Sequence, residues 1–225
     1  MTSDRSQKIS PFIVMEVLER AKRLERAGEH IIHLEIGEPD FDTPKGIVEA
    51  AKQALNRGET HYTHSLGIWE LREAIAQYYS HKYNIMVMPD QVIVTFGTSP
   101  ALLLALSAIT NPGDNIICSN PGYACYTNFI TYLDASPNCV IVHEEDGFQY
   151  RSDKIRRQID SKTKAILINS PANPTGNLLS PDTMDEIASL EPIIISDEIY
   201  HGLVYAEQAH SMLEFTSNTF VLNGF

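Results

Sequence analysis

Apolar positions recur along this chain in two rhythms. From Pro11 to Ala27, Lys45 to Arg57 and Ile68 to Tyr83 they return every three or four residues. Ile47, Val48, Ala51 and Leu55 mark one stripe, and Ile68, Leu71, Ile75 and Tyr79 another. This spacing predicts three amphipathic helices, the first stopped by Gly28. Elsewhere apolar residues cluster in short runs at His30–Ile36, Gln91–Thr95, Asn115–Ser119, Cys139–Val142, Lys164–Asn169, Ile193–Ser196 and Thr219–Asn223. These predict strands, with further helices over Ala101–Ile109, after Tyr123 and after Pro181. The alternation predicts an α/β fold, a mostly parallel sheet sandwiched by helices. The Gly37–Pro44 segment, rich in Gly, Pro and Asp, reads as a structured loop and a domain boundary.

Composition narrows the partners. With 225 residues the chain can bury a sizeable core. A net charge of -12 argues against nucleic acid or an anionic membrane as the main partner, while leaving room for a small anion in a local pocket. Cys118, Cys125 and Cys139 form no CxxC pair, which suits reduced thiols in a cytoplasmic protein. Met1–Lys8 lacks a signal peptide's apolar core, and no apolar run approaches the roughly 18 residues of a membrane span. His30/His33 and His61/His64 share a helical spacing without the companions of a zinc site. Glu144–Asp146 before Gly147 reads as a turn, and the Arg156-Arg157 cluster is short and offset by nearby acids.

The chemistry gathers where strands end. Pro192–Tyr200 is a buried β-branched run closing in Asp197-Glu198 and then Tyr200. In open α/β sheets ligands sit outside the carboxyl ends of strands, so an acid there is a site candidate, although a turn cap would look the same. Gln91–Thr95 leads into Phe96-Gly97-Thr98-Ser99-Pro100, with Ser99 suited to cap a helix and Pro100 to its first position. Gly97, Thr98 and Ser99 would cradle a phosphate, or simply cap a core helix. Tyr123, after Asn120-Pro121-Gly122, could lie on a planar ring or pack in the core. Asn173 sits in a loop stiffened by Pro171, Pro174 and Gly176, presenting an amide or only turning the chain. Together the four ends describe a pocket for a planar, phosphorylated, nitrogen-containing ring.

Gly37-Glu38-Pro39-Asp40-Phe41, Asn173-Pro174-Thr175-Gly176, Asp197-Glu198-Ile199-Tyr200 and Val221-Leu222-Asn223-Gly224-Phe225, in that order, resemble the class I/II pyridoxal-phosphate-dependent aminotransferases of fold type I. The resemblance implies pyridoxal 5'-phosphate as cofactor, amino-acid and 2-oxo-acid substrates, a role in amino-acid metabolism and a homodimer. It implies that Asp197 pairs with the pyridine nitrogen and that Tyr200 and Asn173 bond the ring's phenolic oxygen. Tyr123 would stack on the ring, and Gly97, Thr98 and Ser99 would hold the phosphate. Tyr62 would reach the neighbouring subunit's phosphate, and Gly37 would lie near the substrate carboxylate. Residues 1–43 would be an N-terminal arm with part of a small domain, and 44–225 the large cofactor domain.

In that family a lysine follows the terminal motif and forms the Schiff base with the cofactor. This chain stops at Phe225, and Lys154, Lys162 and Lys164, in or beside a polar helix, are no substitutes. The expectation is therefore the N-terminal portion of a longer enzyme, inactive by itself. A carbon–sulfur β-lyase of the same fold would use the same ring-activating residues. A non-catalytic binding module would follow if the chain truly ended here.

Overall fold

Among the described residues, five strands run in one direction in the order β2-β1-β3-β4-β5, every neighbouring pair parallel. The computed structural model describes residues 2–205 and 207–224. Its strands are β1 (Asn115–Asn120), β2 (Ser136–Ile141), β3 (Thr163–Asn169), β4 (Ile193–Asp197) and β5 (Thr219–Leu222). The helices are α1 (Asp4–Lys8), α2 (Ile13–Arg26), α3 (Lys45–Asn56), α4 (Trp69–Tyr83), α5 (Thr98–Ile109), α6 (Cys125–Tyr132), α7 (Ser152–Arg156) and α8 (Pro181–Ala188). The predicted sandwich is the observed architecture.

Parallel strands need long crossovers, and α6, α7 and α8 lie in them. Strand alternation sorts the core into two layers. Ile166, Ile168 and Ile194 pack with Ile155, Met184, Ile187 and Met212, which places α7 and α8 on one face. Ala165, Leu167 and Ile195 pack with Leu102, Leu106, Tyr126 and Ile130, which places α5 and α6 on the other. Pro137 is accepted in β2 because that strand is an edge, where a missing donor costs little. On β1 and β2, Cys118 and Cys139 are register partners with sulfurs 3.4 Å apart, and all three cysteines are free thiols.

The chain divides into two compact units, Met1–Ser10 with Trp69–Phe225, and Pro11–Ile68. The second holds α2 and α3. The strand expected at His30–Ile36 is absent: these residues carry no ladder, and Leu34 is 90% exposed. Side chains hold the segment instead, with His33 Nδ1 2.6 Å from Glu35 and Nε2 2.8 Å from Glu25 of α2. The two carboxylates push the imidazole's pKa up, and the imidazole pushes theirs down.

Two further expectations need correcting. Gln91–Thr95 is not a strand: Pro89–Gln91 form a 3-10 turn and residues 92–95 carry no ladder. Arg72 of α4 takes over the role of a ladder partner, donating from Nε to the carbonyls of Pro89 (3.0 Å) and Val92 (3.2 Å). The following helix begins at Thr98, not Ala101, so Ser99 and Pro100 lie inside its first turn and Gly97 is the N-cap.

Gly122 packs against Ser119 so tightly that a Cβ would stand 2.6 Å from the Ser119 carbonyl oxygen and 2.8 Å from its Oγ. Gly122→Ala is expected to destabilise the protein by about 1–3 kcal/mol, the usual cost of overpacking. Urea unfolding monitored by circular dichroism measures it, and an unchanged midpoint would refute the prediction.

Candidate active site

The strand order reverses between β1 and β3, the position where open α/β sheets form their crevice. Asp197 ends β4, the strand next to β3 on the far side from β1, and is only 7% exposed. Its Oδ2 accepts the Tyr126 hydroxyl at 2.7 Å and its Oδ1 the Ile199 amide at 3.2 Å. Burial raises its pKa above the ordinary carboxylate range, while these two hydrogen bonds pull it back. Among the described residues, no lysine, arginine or histidine forms an ion pair with it.

A chain of amides joins β3 to the turn after β4. Asn169 Nδ2 donates to the Asp197 carbonyl at 2.9 Å, and its Oδ1 accepts the Asn173 N–H at 2.6 Å. Asn173 Nδ2 then donates to the Tyr200 hydroxyl at 3.2 Å. On the other side of the reversal, Tyr123 meets Tyr126 edge to face with centroids 5.2 Å apart. Tyr123, Tyr126, Asp197, Asn169, Asn173 and Tyr200 thus form one chain of contacts, with Asn169 bridging Asp197 and Asn173.

Gly97 has φ +99°, a backbone state that only glycine adopts without strain. It opens α5 without a side-chain cap, so the first-turn N–H groups receive no hydroxyl or carboxylate acceptor from the N-cap residue. Thr98 is half-buried and Ser99 exposed. The next turn joins this end to the site's layer, because Ala101 and Leu102 share a cluster with Tyr123, Tyr126 and Leu222. Gly37 and Tyr62 belong to the Pro11–Ile68 unit, where both are exposed. Of the lysines considered, Lys154 lies in α7, Lys162 in the turn before β3, and Lys164 at the amino end of β3, 3.7 Å from Asp114. The terminal motif's Asn223 donates to the Tyr79 hydroxyl at 3.3 Å, while Phe225 lies outside the described residues.

Sequence reasoning missed Tyr126, Asn169 and the surroundings of Glu198. Tyr126 was findable: it sits four residues before Ile130 on the inward stripe of α6. Glu198 is fully buried, and its Oε1 accepts from Ser196 Oγ (3.0 Å), Ser211 Oγ (3.1 Å) and the Met212 amide (2.9 Å). His201 Nδ1 lies 3.5 Å from Glu198 Oε2 and 2.7 Å from the Tyr83 hydroxyl. Burial pushes Glu198 up to about 7 and His201 down to about 4.

For Glu198 the sign is definite. A folded-state pKa above the ordinary 4.5 means its contribution to stability is full below that value and is lost as pH rises through about 7. His201 works oppositely: its contribution is present above its ordinary 6.5 and is lost as pH falls towards about 4. Replacing only the acid isolates the first effect. The melting temperature of Glu198→Gln minus that of the wild type should therefore climb between pH 4.5 and 7. Melts across that range check it, and a flat difference would contradict it.

Comparison with known proteins follows the same lines. The sequence profile of "Aminotransferase class I and II" matches residues 29–225. A (5-formylfuran-3-yl)methyl phosphate transaminase of Methanocaldococcus jannaschii is 43% identical over 228 residues, covering 100% of this chain and 60% of that protein. An aspartate aminotransferase of Thermotoga maritima is 38% identical, covering 100% of this chain and 62% of its own length. The structure of Thermus thermophilus aspartate aminotransferase with maleate superposes with a TM-score of 0.95 at 35% identity, over 100% of this chain and 60% of that one. The chain therefore spans about 60% of the length of these relatives. No described helix is long and apolar enough to cross a membrane, and no described cluster of three or more His, Cys, Asp or Glu is arranged for a metal. By the profile match and by the fold, this chain belongs to the class I and II aminotransferase family.

Proposed function

We propose that the full-length protein moves an amino group between an amino acid and a 2-oxo acid with pyridoxal 5'-phosphate, and that the residues above form its cofactor site. The observation that carries this reading is Asp197: a buried carboxylate at a strand's carboxyl end, bonded among the described residues by a phenol and an amide and by no cation. A buried acid with no cation of its own suits a protonated ring nitrogen, and the neutral donors around it fit that partner. When bound, the cofactor supplies the electron sink for bond cleavage at the substrate Cα.

Asp197 keeps the ring nitrogen protonated, with Tyr126 fixing the carboxylate's orientation. Asn173 and Tyr200 hydrogen-bond the ring's phenolic oxygen, and Tyr123 covers one ring face. Gly97, Thr98 and Ser99 hold the phosphate at the uncapped start of α5. The roles the resemblance gives Gly37 and Tyr62, the homodimer, the division at residue 43 and the cytoplasmic setting belong to the same proposal. The relatives' names, one a transaminase and one an aspartate aminotransferase, support the reaction class.

The test is gel filtration of the full-length protein after mixing with pyridoxal phosphate, followed by an amino-transfer assay. A visible absorbance band travelling with the protein, and transfer that requires a 2-oxo acid, is the expected result. Absence of the band refutes the cofactor reading. Release of pyruvate and ammonia without a 2-oxo acid refutes amino transfer.

A further inference from the structure

Asp197 and Glu198 are adjacent in sequence and belong to opposite faces of the sheet. Successive side chains of an extended segment leave on alternate faces, and β4 follows this rule to its end. Ile195 packs with Tyr126 and Leu222, whereas Ile194 packs with Met184, Ile187 and Met212. Asp197 follows Ile195 and meets Tyr126. Ser196 and Glu198 follow Ile194, and there Glu198 gathers its three donors.

Two of those donors, Ser211 Oγ and the Met212 amide, lie on the segment that leads into β5. The Glu198 amide donates to the Leu222 carbonyl of β5 at 2.8 Å. His201, three residues on and equally buried, is tied through Tyr83 to α4. The turn that presents Asp197 and Tyr200 is thus pinned from behind at two points, side chain by side chain. Glu198 gathers three hydrogen bonds on one buried oxygen, against the one between His201 and Tyr83, so the acid is the firmer pin.

The geometry points to Glu198 as a positioning residue: its buried carboxylate holds the turn so that the Asp197 carboxylate and the Tyr200 hydroxyl keep their places on the opposite face. It touches neither substrate nor cofactor. The inference rests on the pyridoxal-phosphate reading of that opposite face.

Two measurements on the full-length protein test it: amide hydrogen exchange of the cofactor-free form, and the dissociation constant for pyridoxal phosphate. In Glu198→Ala, exchange at residues 199–203 should rise about tenfold or more, with β1 and β3 unchanged, because three hydrogen bonds to one buried acceptor are lost. Cofactor binding should weaken about tenfold for the same reason. Glu198→Gln keeps an acceptor oxygen for all three donors, and should restore both readings to within about threefold of wild type. Ser211→Ala removes one donor and spares the acid; it should give the same pattern more weakly, and it stands in if Glu198→Ala does not fold.

Exchange unchanged in these variants, exchange raised evenly across the sheet, or exchange raised with unaltered cofactor affinity would each overturn the inference. So would a Glu198→Gln protein as impaired as Glu198→Ala. If the wild type takes up no pyridoxal phosphate, the functional reading falls on its own. The pinning of the turn is then decided by exchange alone: a rise confined to residues 199–203 upholds it, and no such rise refutes it.

Discussion

Asp197→Asn in the full-length protein is expected to slow amino transfer by about 10²–10⁴-fold, as follows from losing one member of a buried charge pair worth about 3–5 kcal/mol. Asparagine has the shape of aspartate: its Oδ1 can still accept the Ile199 amide, and its Nδ2 can donate to the Tyr126 hydroxyl oxygen in place of accepting from it, so the fold should survive. What it lacks is the charge that would keep a ring nitrogen protonated. The loss should therefore appear in kcat more than in the melting temperature. Initial rates and thermal melts, measured side by side, check both halves. A variant within about threefold of wild type would remove Asp197 from the chemistry.

Arg72→Ala is expected to cost stability rather than chemistry, by about 3 kcal/mol, since hydrogen bonds to a buried charged group are worth about 1.5–3 kcal/mol each and are not additive. The guanidinium is buried under Trp69, with its carbon 5.4 Å from the ring centroid, and serves the carbonyls of Pro89 and Val92. Its ion pair with Asp90 at 2.9 Å adds little, because Asp90 is 84% exposed and solvent screens it. Removing the side chain leaves two carbonyls without their donor and empties a packed site beside α4. Lysine should not rescue, since a single ammonium cannot reproduce the planar fork. Equilibrium unfolding in urea measures the loss, and Arg72→Lys matching the wild type would show that charge alone suffices.

The same arginine explains where the sequence was hard to read. Residues 92–95 carry the apolar pattern of a strand, but a strand exists only where a ladder partner lies alongside, and periodicity says nothing about partners. Here a side chain seventeen and twenty residues upstream supplies the hydrogen bonds. His30–Ile36 misled for the same reason, its shape being held by ion pairs to Glu25 and Glu35. In β3 and β4 the apolar runs were unbroken because both faces are covered, so type and extent could be read directly. At the site, residues at strand ends were legible because the ends themselves were. Tyr126 and Asn169 reach Asp197 through tertiary contacts 71 and 28 residues long, which no local pattern encodes. Glu198 was visible as a second acid, yet its three donors include two from beyond residue 210.

The alternation along β4 also bears on how this region can change over time. Inserting or deleting one residue between Ile193 and Asp197 would swing both carboxylates through half a turn, sending each to the surroundings built for the other. A point substitution there alters one side chain, whereas a shift in length exchanges two environments at once. Variation in length is better absorbed at Tyr205, which is exposed and lies past the pinned turn.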